Sequence, residues 1–431
     1  MARKLVVIGA GPMGLAAAYE GLKRGFEVDV LEGDDRVGGM AAHFDFDGLS
    51  IERFYHFCCL SDHDTLALMD ELGLGGRMRW VSTKMGFYVD GKLYRWGDPL
   101  ALLTFPKLDP VSKVRYGLQV FLSTKRSDWR RLDRISAKQW FIDWSGHKAY
   151  DRLWRPLLEL KFYELTDQVS AAWIWQRIKR LGRSRKSLFE ERLGYVEGGS
   201  ETLMNALAEA IVAKGGRIHL KSPAARIRIE NGAAVGVVTA DSREFPADEV
   251  VSTIPTPYVP PLLAEAPEAV RAPYAQIRNI GVVCVLHRLA QPVSQNFWVN
   301  ISDPRMEIPG IVEFSNLRPV GEDAIVYVPY YMPQTHPKFA WPNEAFVEES
   351  WRYLKMLNPA LTDADLKASH VGRLRHAQPI CEPGFAEMIP PARTPIAGLS
   401  IADTCFYYPE DRGVSESIRF ARGMIAELPA P

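Results

Sequence analysis

The sequence has no surplus of charge, few cysteines and no long apolar run. Its 52 Lys and Arg residues balance 52 Asp and Glu residues, so no overall charge steers the chain to nucleic acid. The five cysteines include no C-x-x-C pair, which argues against zinc and dithiol motifs and favours a reducing, cytoplasmic compartment. No stretch reaches the roughly 18 consecutive apolar residues of a membrane-spanning helix, so we expect any membrane contact to be peripheral.

The start of the chain has the pattern of a β-α-β unit. An apolar run over residues 4–8 predicts a buried parallel strand, and a glycine-rich turn follows it. The sequence then predicts a helix from Pro12 to Lys23 and a second strand from Phe26 to Leu31. Such a beginning is typical of an open parallel sheet with helices on its faces, which is an α/β fold.

The turn after the first strand carries the motif G-x-G-x-x-G. Gly9 permits the tight turn, Gly11 lets the backbone approach a pyrophosphate, and Gly14 lets helix and strand pack closely. Pro12 and Met13 begin the helix, whose free N–H groups and positive dipole end favour phosphate. Because the motif follows a strand and opens a helix, we interpret it as a dinucleotide-binding turn.

A carboxylate stands at the end of the second predicted strand. Glu32 can accept hydrogen bonds from both ribose hydroxyls of an adenosine and would repel a 2′-phosphate, so NADP is disfavoured. A second pair of glycines follows, which lets the backbone run close to the rest of a long cofactor. The residues of this segment that we expect to contact the cofactor are Glu32, Gly33, Arg36, Gly38, Gly39 and Met40.

These residues resemble the FAD superfamily that contains amine oxidases, protoporphyrinogen oxidase, phytoene desaturases and UDP-galactopyranose mutase. The hallmark of the family is the Rossmann turn followed by E-x-x-x-R-x-G-G, which residues 32–39 match. The resemblance implies FAD as the cofactor. It places Ala224 where the family usually has Val, and Asp403 in a second FAD motif that here lacks its Gly. The last helix is expected to meet the flavin through Gly413, Val414 and Ser415.

The pattern along the chain indicates interleaved domains. We expect an α/β fold in which an FAD-binding Rossmann-type domain is interleaved with a mixed-sheet substrate domain and a helical subdomain. Residues 85–190 are rich in aromatic and basic residues and are predicted to be mostly helical. The expected parts are the FAD-binding segments 1–80, 196–260 and 396–431, a helical or substrate subdomain at 81–195, and a substrate-domain sheet at 261–395.

Three side chains are candidates for work on the substrate. His56 lies in a segment that passes near the flavin in the family, and it is either a proton carrier or a packed core histidine. Tyr408 and Arg412 lie between Asp403 and the last helix, where tyrosine could stack or donate a proton and arginine could bind an anionic group. The alternative for this loop is a structural turn braced by Glu410 and Arg412.

A basic stretch without acidic residues follows Trp173. Arg177, Lys179, Arg180 and Arg183 interleave there with apolar residues. The stretch is either an ordinary solvated helix face or a contact with an anionic membrane surface or a phosphorylated, lipid-linked substrate. Nucleic acid is not expected as a partner, because no recognised nucleic-acid-binding fold accompanies the stretch.

The sequence leaves three functions open. The first is an FAD-dependent oxidoreductase that removes hydride from a small organic, sugar or isoprenoid lipid-linked substrate. The second is a redox-neutral sugar isomerase similar to UDP-galactopyranose mutase, and the third is a non-enzymatic relative similar to Rab GDP-dissociation inhibitor. We favour the first, because the glycines and Glu32 are intact and the resemblance covers many oxidases and desaturases. Only one G-x-G-x-x-G lies between a strand and a helix, so no second domain for a nicotinamide is expected.

Overall fold

The computed structural model describes residues 2–187 and 190–431. Its strands form five sheets, of which a five-stranded and a seven-stranded sheet are the largest. The strands are β1 (Lys4–Ile8), β2 (Glu27–Leu31), β3 (His43–Phe46), β4 (Leu49–Glu52), β5 (Cys58–Cys59), β6 (Met78–Ser82), β7 (Met85–Val89), β8 (Lys92–Trp96), β9 (Arg185–Ser187), β10 (Glu190–Val196), β11 (Arg217–His219), β12 (Ala224–Glu230), β13 (Ala233–Thr239), β14 (Glu244–Pro246), β15 (Glu249–Ser252), β16 (Asn279–Leu289), β17 (Trp298–Ile301), β18 (Gly310–Glu313), β19 (Ala324–Met332), β20 (Leu366–Pro379) and β21 (Leu399–Ile401).

The α-helices are concentrated between Pro99 and Arg183. In the described residues, none of the helices combines the length and the apolar character that crossing a bilayer requires. The α-helices are α1 (Pro12–Lys23), α2 (His63–Glu71), α3 (Pro99–Thr104), α4 (Pro110–Lys125), α5 (Arg130–Asp133), α6 (Ala137–Ser145), α7 (His147–Leu153), α8 (Arg155–Phe162), α9 (Ala171–Arg183), α10 (Ser200–Ala213), α11 (Val259–Leu262), α12 (Glu268–Gln276), α13 (Asn343–Leu357), α14 (Phe385–Met388) and α15 (Val414–Ala426).

The five-stranded sheet is parallel throughout, with the strand order β11-β2-β1-β15-β21. Residues 5–8 of the central strand β1 are buried, which explains their continuous apolar character. Helix α1 packs against α10 and α15. The strands of this one sheet come from three separate parts of the chain. The predicted α/β class with an interleaved Rossmann-type domain is therefore confirmed, while the limits assigned to each segment stay predictions.

The seven-stranded sheet has the order β20-β16-β19-β18-β17-β7-β8. Its strand pairs are antiparallel except β17 and β7, which run parallel. The expectation of mostly helical structure is wrong for residues 85–96, which form the hairpin β7–β8. Asp90 and Gly91 both have positive φ in its turn, and Asp-Gly is a dipeptide typical of such two-residue turns. The hairpin connects the seven-stranded sheet to the helical region that begins with α3.

Candidate functional site

A cavity of about 1100 Å³ opens at the carboxyl ends of β1 and β2. Ligands of open parallel sheets bind at this edge, outside the ends of the strands. We call it the cofactor cavity, because most of the predicted cofactor residues meet there. Those that line it are Gly9, Gly11, Pro12, Met13, Glu32, Gly33, Gly39, Met40, Ala224, Asp403, Gly413 and Val414.

Gly11 and Gly14 of the first turn each require glycine, but for different reasons. A Cβ on Gly11 would meet no protein atom within 4 Å, so the space beside it is open to a ligand. A Cβ on Gly14 would lie 1.9 Å from the Gly9 carbonyl oxygen, so this position serves close packing and is not at the cavity wall. No acidic residue stands in the first turn of α1. The turn therefore has the open space and the free N–H groups that a pyrophosphate needs.

The Glu32 carboxylate is held at the cavity by backbone groups. Its Oε2 accepts a hydrogen bond from Ala10 N at 2.6 Å, and its Oε1 accepts one from Asp34 N at 2.9 Å. These bonds fix the carboxylate at the end of β2, and each oxygen keeps a lone pair for another donor. The arrangement fits the ribose hydroxyls of an adenosine, as the sequence predicts.

Some predicted cofactor residues do not line the cavity. Arg36 donates through Nη1 to the His43 carbonyl oxygen at 2.8 Å. Gly38, which has a φ of 109°, donates its N–H to the Ala10 carbonyl oxygen at 2.8 Å. Ser415 Oγ accepts a hydrogen bond from the backbone of α2 at 3.3 Å. Arg36, Gly38 and Ser415 therefore form hydrogen bonds around the cavity without lining it, whereas Gly14 has the packing role that the sequence predicts.

Asp403 and the start of α15 close another side of the cofactor cavity. The Asp403 carboxylate accepts hydrogen bonds from Thr256 N at 2.7 Å and from Cys405 N at 2.8 Å. This anchors the loop that leads to α15, whose N-cap is Gly413. Because Gly413 and Val414 line the cavity, the positive end of the helix dipole lies at its wall.

A second cavity, of about 1010 Å³, adjoins the first. Its wall comes from α3, α4, α7, α8 and α9 on one side and from strands of the seven-stranded sheet on the other, and most of its lining side chains are apolar. We call it the substrate cavity. The residues that line both cavities are Tyr55, Phe57, Arg177, Trp298, Pro329 and Tyr331, and they define the junction.

His56 lies at the wall of the cofactor cavity and has one ring nitrogen without a partner in the described residues. Its Nδ1 donates to the Phe54 carbonyl oxygen at 2.7 Å. Burial lowers the pKa of His56, although the Glu52 carboxylate opposes the shift. The ring is therefore neutral at pH 7, and its Nε2 can accept a proton. The role of His56, as a proton carrier or as a packed core histidine, stays a prediction.

Tyr408 lines neither cavity. Its hydroxyl donates to Asp133 Oδ1 at 2.6 Å and lies 2.6 Å from Ser170 Oγ. The prediction that Tyr408 lines the active site is therefore wrong, because these two hydrogen bonds turn its side chain into the helical region. Its neighbour Tyr407 lines the cofactor cavity instead.

Arg412 lies at the wall of the cofactor cavity, as predicted. It donates through Nη2 to the Tyr331 hydroxyl at 3.1 Å and through Nη1 to the Ala377 carbonyl oxygen. The adjacent Asp411 pairs with Arg177 of α9. Burial alone would raise the pKa of Asp411, but the surrounding cations, Arg177 first among them, hold it below its usual value.

Lys161 of α8 lines the substrate cavity and was not predicted as a site residue. Its Nζ lies 4.5 Å from the centre of the Tyr331 ring and 5.0 Å from that of Trp173. In the part of the chain that the structure describes, this amine has no hydrogen bond or ion pair. Burial, and then the charge of Arg177, lower its pKa well below the usual value. We call Lys161, Arg177 and Arg412 the cation cluster.

The basic stretch on α9 turns two of its arginines inward. Arg180 pairs with Asp62 at 2.8 Å, and Arg177 pairs with Asp411. Both arginines line the cofactor cavity. The stretch is therefore not entirely the solvated helix face of the first alternative, because acidic partners for both arginines come from distant parts of the chain. Of the other cations, Lys179 lies over a tryptophan ring at 4.4 Å, and Arg183 donates to a backbone carbonyl oxygen at 3.2 Å.

The junction residues come from separate elements, and sequence reasoning missed most of them. Tyr55 stands beside the predicted His56 and could have been found by that proximity. Lys161, Trp298 and Tyr331 belong to a helix and two strands far apart in the chain. No local motif marks them, because only the tertiary fold brings them to one place.

Comparison with known proteins agrees with this geometry. The family model described as "Flavin containing amine oxidoreductase" matches residues 14–402. The chain belongs to this family. Membership confirms the predicted resemblance and, together with the open pyrophosphate turn and Glu32, the predicted cofactor FAD.

The relatives include enzymes of different chemistry. The chain is 26% identical over 242 residues to zeta-carotene desaturase of Arabidopsis thaliana, which is 51% of this chain and 43% of that protein. The matches to this desaturase, to protoporphyrinogen oxidase 2 and to putrescine oxidase span less than half of those proteins. A putative protoporphyrinogen oxidase from Exiguobacterium sp. 255-15 has a TM-score of 0.75 at 20% identity, over 99% of this chain and 98% of that one. Reduced UDP-galactopyranose mutase has a TM-score of 0.73 at 16% identity, over 99% and 93%. At these identities the two structures show a shared fold alone.

Proposed function

We propose that the protein is an FAD-dependent oxidoreductase whose substrate has a large apolar body and an anionic group. The observation that carries this proposal is the junction, where an apolar cavity of about 1010 Å³ meets the cofactor cavity beside the cation cluster. When bound, FAD supplies an acceptor for a hydride. The chain supplies the shape, the charges and the proton acceptor around it.

The apolar body of the substrate follows from the wall of the substrate cavity. Aromatic and aliphatic side chains hold a ligand by removing its apolar surface from water. A cavity of this size accepts a bulky hydrocarbon such as an isoprenoid or acyl chain. Its apolar wall includes Phe87, Trp96, Leu157, Trp173, Ile178 and Phe297.

The anionic group follows from the charges at the junction. Arg177 forms an ion pair with Asp411. Lys161 and Arg412 form no ion pair in the described residues and share the charge of that single carboxylate, so the three cations outnumber it. An unmatched cation in a buried site is costly, because it loses its hydration without gaining a counter-charge. A carboxylate or phosphate on the substrate would remove that cost.

The same charges disfavour an ammonium group on the substrate. The surplus positive charge at the junction repels a second cation, and a buried site screens this repulsion weakly. The family is named for amine oxidation, but the positive charge at the junction of this chain favours an anionic group over an ammonium group. We therefore propose a lipid-linked or similar amphipathic anion as the substrate class, rather than a free amine.

His56 has the position and the protonation state of a general base. Its neutral Nε2 faces no protein partner among the described residues, so it can take the proton released when hydride leaves a C–N, C–O or C–C bond. Tyr55 and Trp298 lie edge to face with their ring centroids 5.6 Å apart at the junction. These rings exclude water from the place where substrate and cofactor would meet.

A redox-neutral sugar isomerase is the second candidate. The fold shared with UDP-galactopyranose mutase supports it, as does Arg412, which could hold a diphosphate. The long apolar wall of the substrate cavity speaks against it, because a sugar alone would leave that wall uncovered. The two candidates differ in whether the flavin changes its redox state with substrate.

A series of octyl compounds tests the proposed substrate class. Octanoate, octyl phosphate, octanol and octylamine share one chain and differ in the charge of the head group. Binding is followed by the visible absorption of the bound flavin and by calorimetry, so that no turnover is needed. We expect both anions to bind about tenfold more tightly than octylamine, since one charge-assisted contact corresponds to about 1.4 kcal/mol. Equal or tighter binding of octylamine would contradict the proposed class.

A further inference from the structure

Helix α4 is built with its polar side inward. Its buried residues are polar or partly polar, namely Ser112, Tyr116, Gln119 and Ser123. They recur at helical spacing and form one face. In a surface helix of a globular protein the apolar stripe normally faces the core. In α4 the arrangement is reversed, so the outward face requires an explanation.

The inward face of α4 is a hydrogen-bonded packing surface, in which Gln119 Nε2 has no partner among the described residues. Ser145 Oγ donates to Gln119 Oε1, and Ser123 Oγ donates to the Gln119 carbonyl oxygen at 2.7 Å. The Trp175 indole N–H donates to the Ser123 carbonyl oxygen at 3.0 Å. Buried polar groups with such partners carry little penalty. The orientation of α4 is therefore fixed by specific bonds, and its outer face is a built feature of the fold.

The outer face of α4 exposes a continuous apolar stripe. Val111, Val114, Leu118 and Phe121 repeat at intervals of three and four residues, and their exposed fractions are 50–66%. Helix α3 extends the stripe with Leu103, which is 63% exposed. Scattered exposed apolar residues are ordinary, but a contiguous patch marks a site of contact with an apolar partner. We call this surface the α3–α4 patch, and it also includes Leu100 and Leu122.

The α3–α4 patch surrounds an opening of the substrate cavity. Leu103, Val114, Leu118 and Phe121 are exposed to solvent and also line that cavity. The apolar surface is thus continuous from the outside of the molecule to the junction. A hydrocarbon chain could move along it without contact with bulk water.

The polar residues around the patch carry mostly positive charge. Lys113, Arg115, Lys125 and Arg126 lie on or directly after α4, and the helix itself contains no acidic residue. Among residues 2–187 and 190–431, none of these four cations is paired with a carboxylate. An apolar face flanked by cations without carboxylate partners matches an interface of acyl chains and anionic head groups.

We propose that the α3–α4 patch docks the protein on the surface of an anionic lipid bilayer, and that the apolar substrate enters from the bilayer through this opening. Docking is peripheral, with the apolar stripe at the acyl boundary and the flanking cations at the phosphates. This surface differs from the inward-turned arginines of α9. The docking rests on the outer face of two helices and is independent of the chemistry at the flavin, whereas the entry of an apolar substrate rests on the proposed function.

Vesicle co-sedimentation tests the docking surface with the FAD-loaded protein. Vesicles of phosphatidylcholine alone are compared with vesicles of phosphatidylcholine and phosphatidylglycerol. We expect binding to the anionic vesicles that weakens as salt is added, since salt screens exposed charges. The double variant Leu118→Glu, Phe121→Glu is expected to lose this binding and to keep its flavin content and melting temperature, because both side chains are already exposed.

A matched variant serves as the control, and an oligomer measurement separates membrane docking from dimer formation. Val212→Glu changes an exposed apolar residue of α10 and is expected to bind vesicles like the wild type. Equal sedimentation of the wild type and the α4 double variant would overturn the proposal. A dimer that forms without vesicles and is dissociated by the double variant would overturn it as well, because the patch would then be an interface between two copies.

Discussion

The cofactor cavity and the substrate cavity are built from different parts of the polypeptide. The glycine-rich turn Gly9–Gly14, which leads into α1, and the N-terminus of α15 shape much of the first. Side chains from several helices and strands shape the second, and most of them are apolar. A backbone wall recognises one kind of ligand and tolerates little change, whereas a side-chain wall can be altered residue by residue. The first cavity therefore accounts for the binding of the flavin, and in our proposal the second selects the substrate.

The largest expected effect is the loss of flavin on Gly11→Val. The added side chain would meet no protein atom near its Cβ but would fill the space of the pyrophosphate. We expect a folded protein without FAD, measured by absorbance of the purified protein and by circular dichroism. A variant with normal flavin content would show that the turn holds something else.

Gly14→Ala is the matched control in the same turn. Here the Cβ would lie 1.9 Å from a backbone oxygen, so the fold itself must shift. We expect the free energy of unfolding to fall by about 1–3 kcal/mol, the usual cost of overpacking. Denaturant unfolding measures it, and stability equal to that of the wild type would contradict the packing role assigned to this glycine.

His56→Gln removes the proposed base and keeps a hydrogen-bonding side chain. We expect flavin content to be unchanged and the rate of flavin reduction by substrate to fall by about a hundredfold, the lower range for loss of a general base. The lowered pKa of His56 also sets a pH dependence. The wild-type rate should be level near neutral pH and fall as the pH drops through that pKa, below the usual histidine value of about 6.5. A variant that keeps this acid limb would contradict the assignment.

Lys161→Met tests whether the charge of Lys161 contributes to anion binding in the substrate cavity. With one unmatched cation removed, we expect the dissociation constant of octanoate to rise about tenfold and that of octanol to stay the same. Lys161→Arg should restore much of the anion binding, and Lys179→Met, on the outer part of α9, should behave as the wild type. If octanoate binds Lys161→Met and the wild type equally, the cation cluster does not recognise an anion.

The smallest effect on ligand binding is expected at Tyr408. Tyr408→Phe removes a buried hydroxyl that donates to Asp133, so we expect a loss of about 1–3 kcal/mol in unfolding free energy. The affinity for octanoate should not change, because Tyr408 lines neither cavity. A change in that affinity without a change in stability would return Tyr408 to the site.

Local motifs explain how much of this architecture is predictable. Gly9, Gly11 and Glu32 act through the backbone of one β-α-β unit, so their spacing in the sequence is also their spacing in space. The α/β class, the cofactor and most of its contacts follow from such segments. The hairpin of residues 85–96 was also marked, by Asp90-Gly91, but the dense aromatic and basic residues around it favoured helix.

The substrate cavity could not be predicted in the same way. Lys161 and Tyr331 are distant in sequence and meet only because α8 packs on the seven-stranded sheet. Tyr408 was assigned to the cavity from its loop position, but in that loop its neighbour Tyr407 lines the cavity while Tyr408 points away. The positive charge of α9 could be predicted from the sequence. Its partners Asp62 and Asp411 could not, because ion pairing depends on tertiary contacts.

The most direct test is anaerobic mixing of the oxidised holoprotein with a panel of apolar compounds. Each panel compound carries an anionic group and an oxidisable C–N, C–O or C–C bond, and the visible absorption of the flavin is recorded. We predict that a panel compound bleaches the flavin without added reductant and that matched ammonium compounds do not. The contrary result would be a flavin that stays oxidised with the whole panel but, once reduced by dithionite, lets the protein convert a panel compound without consuming an acceptor.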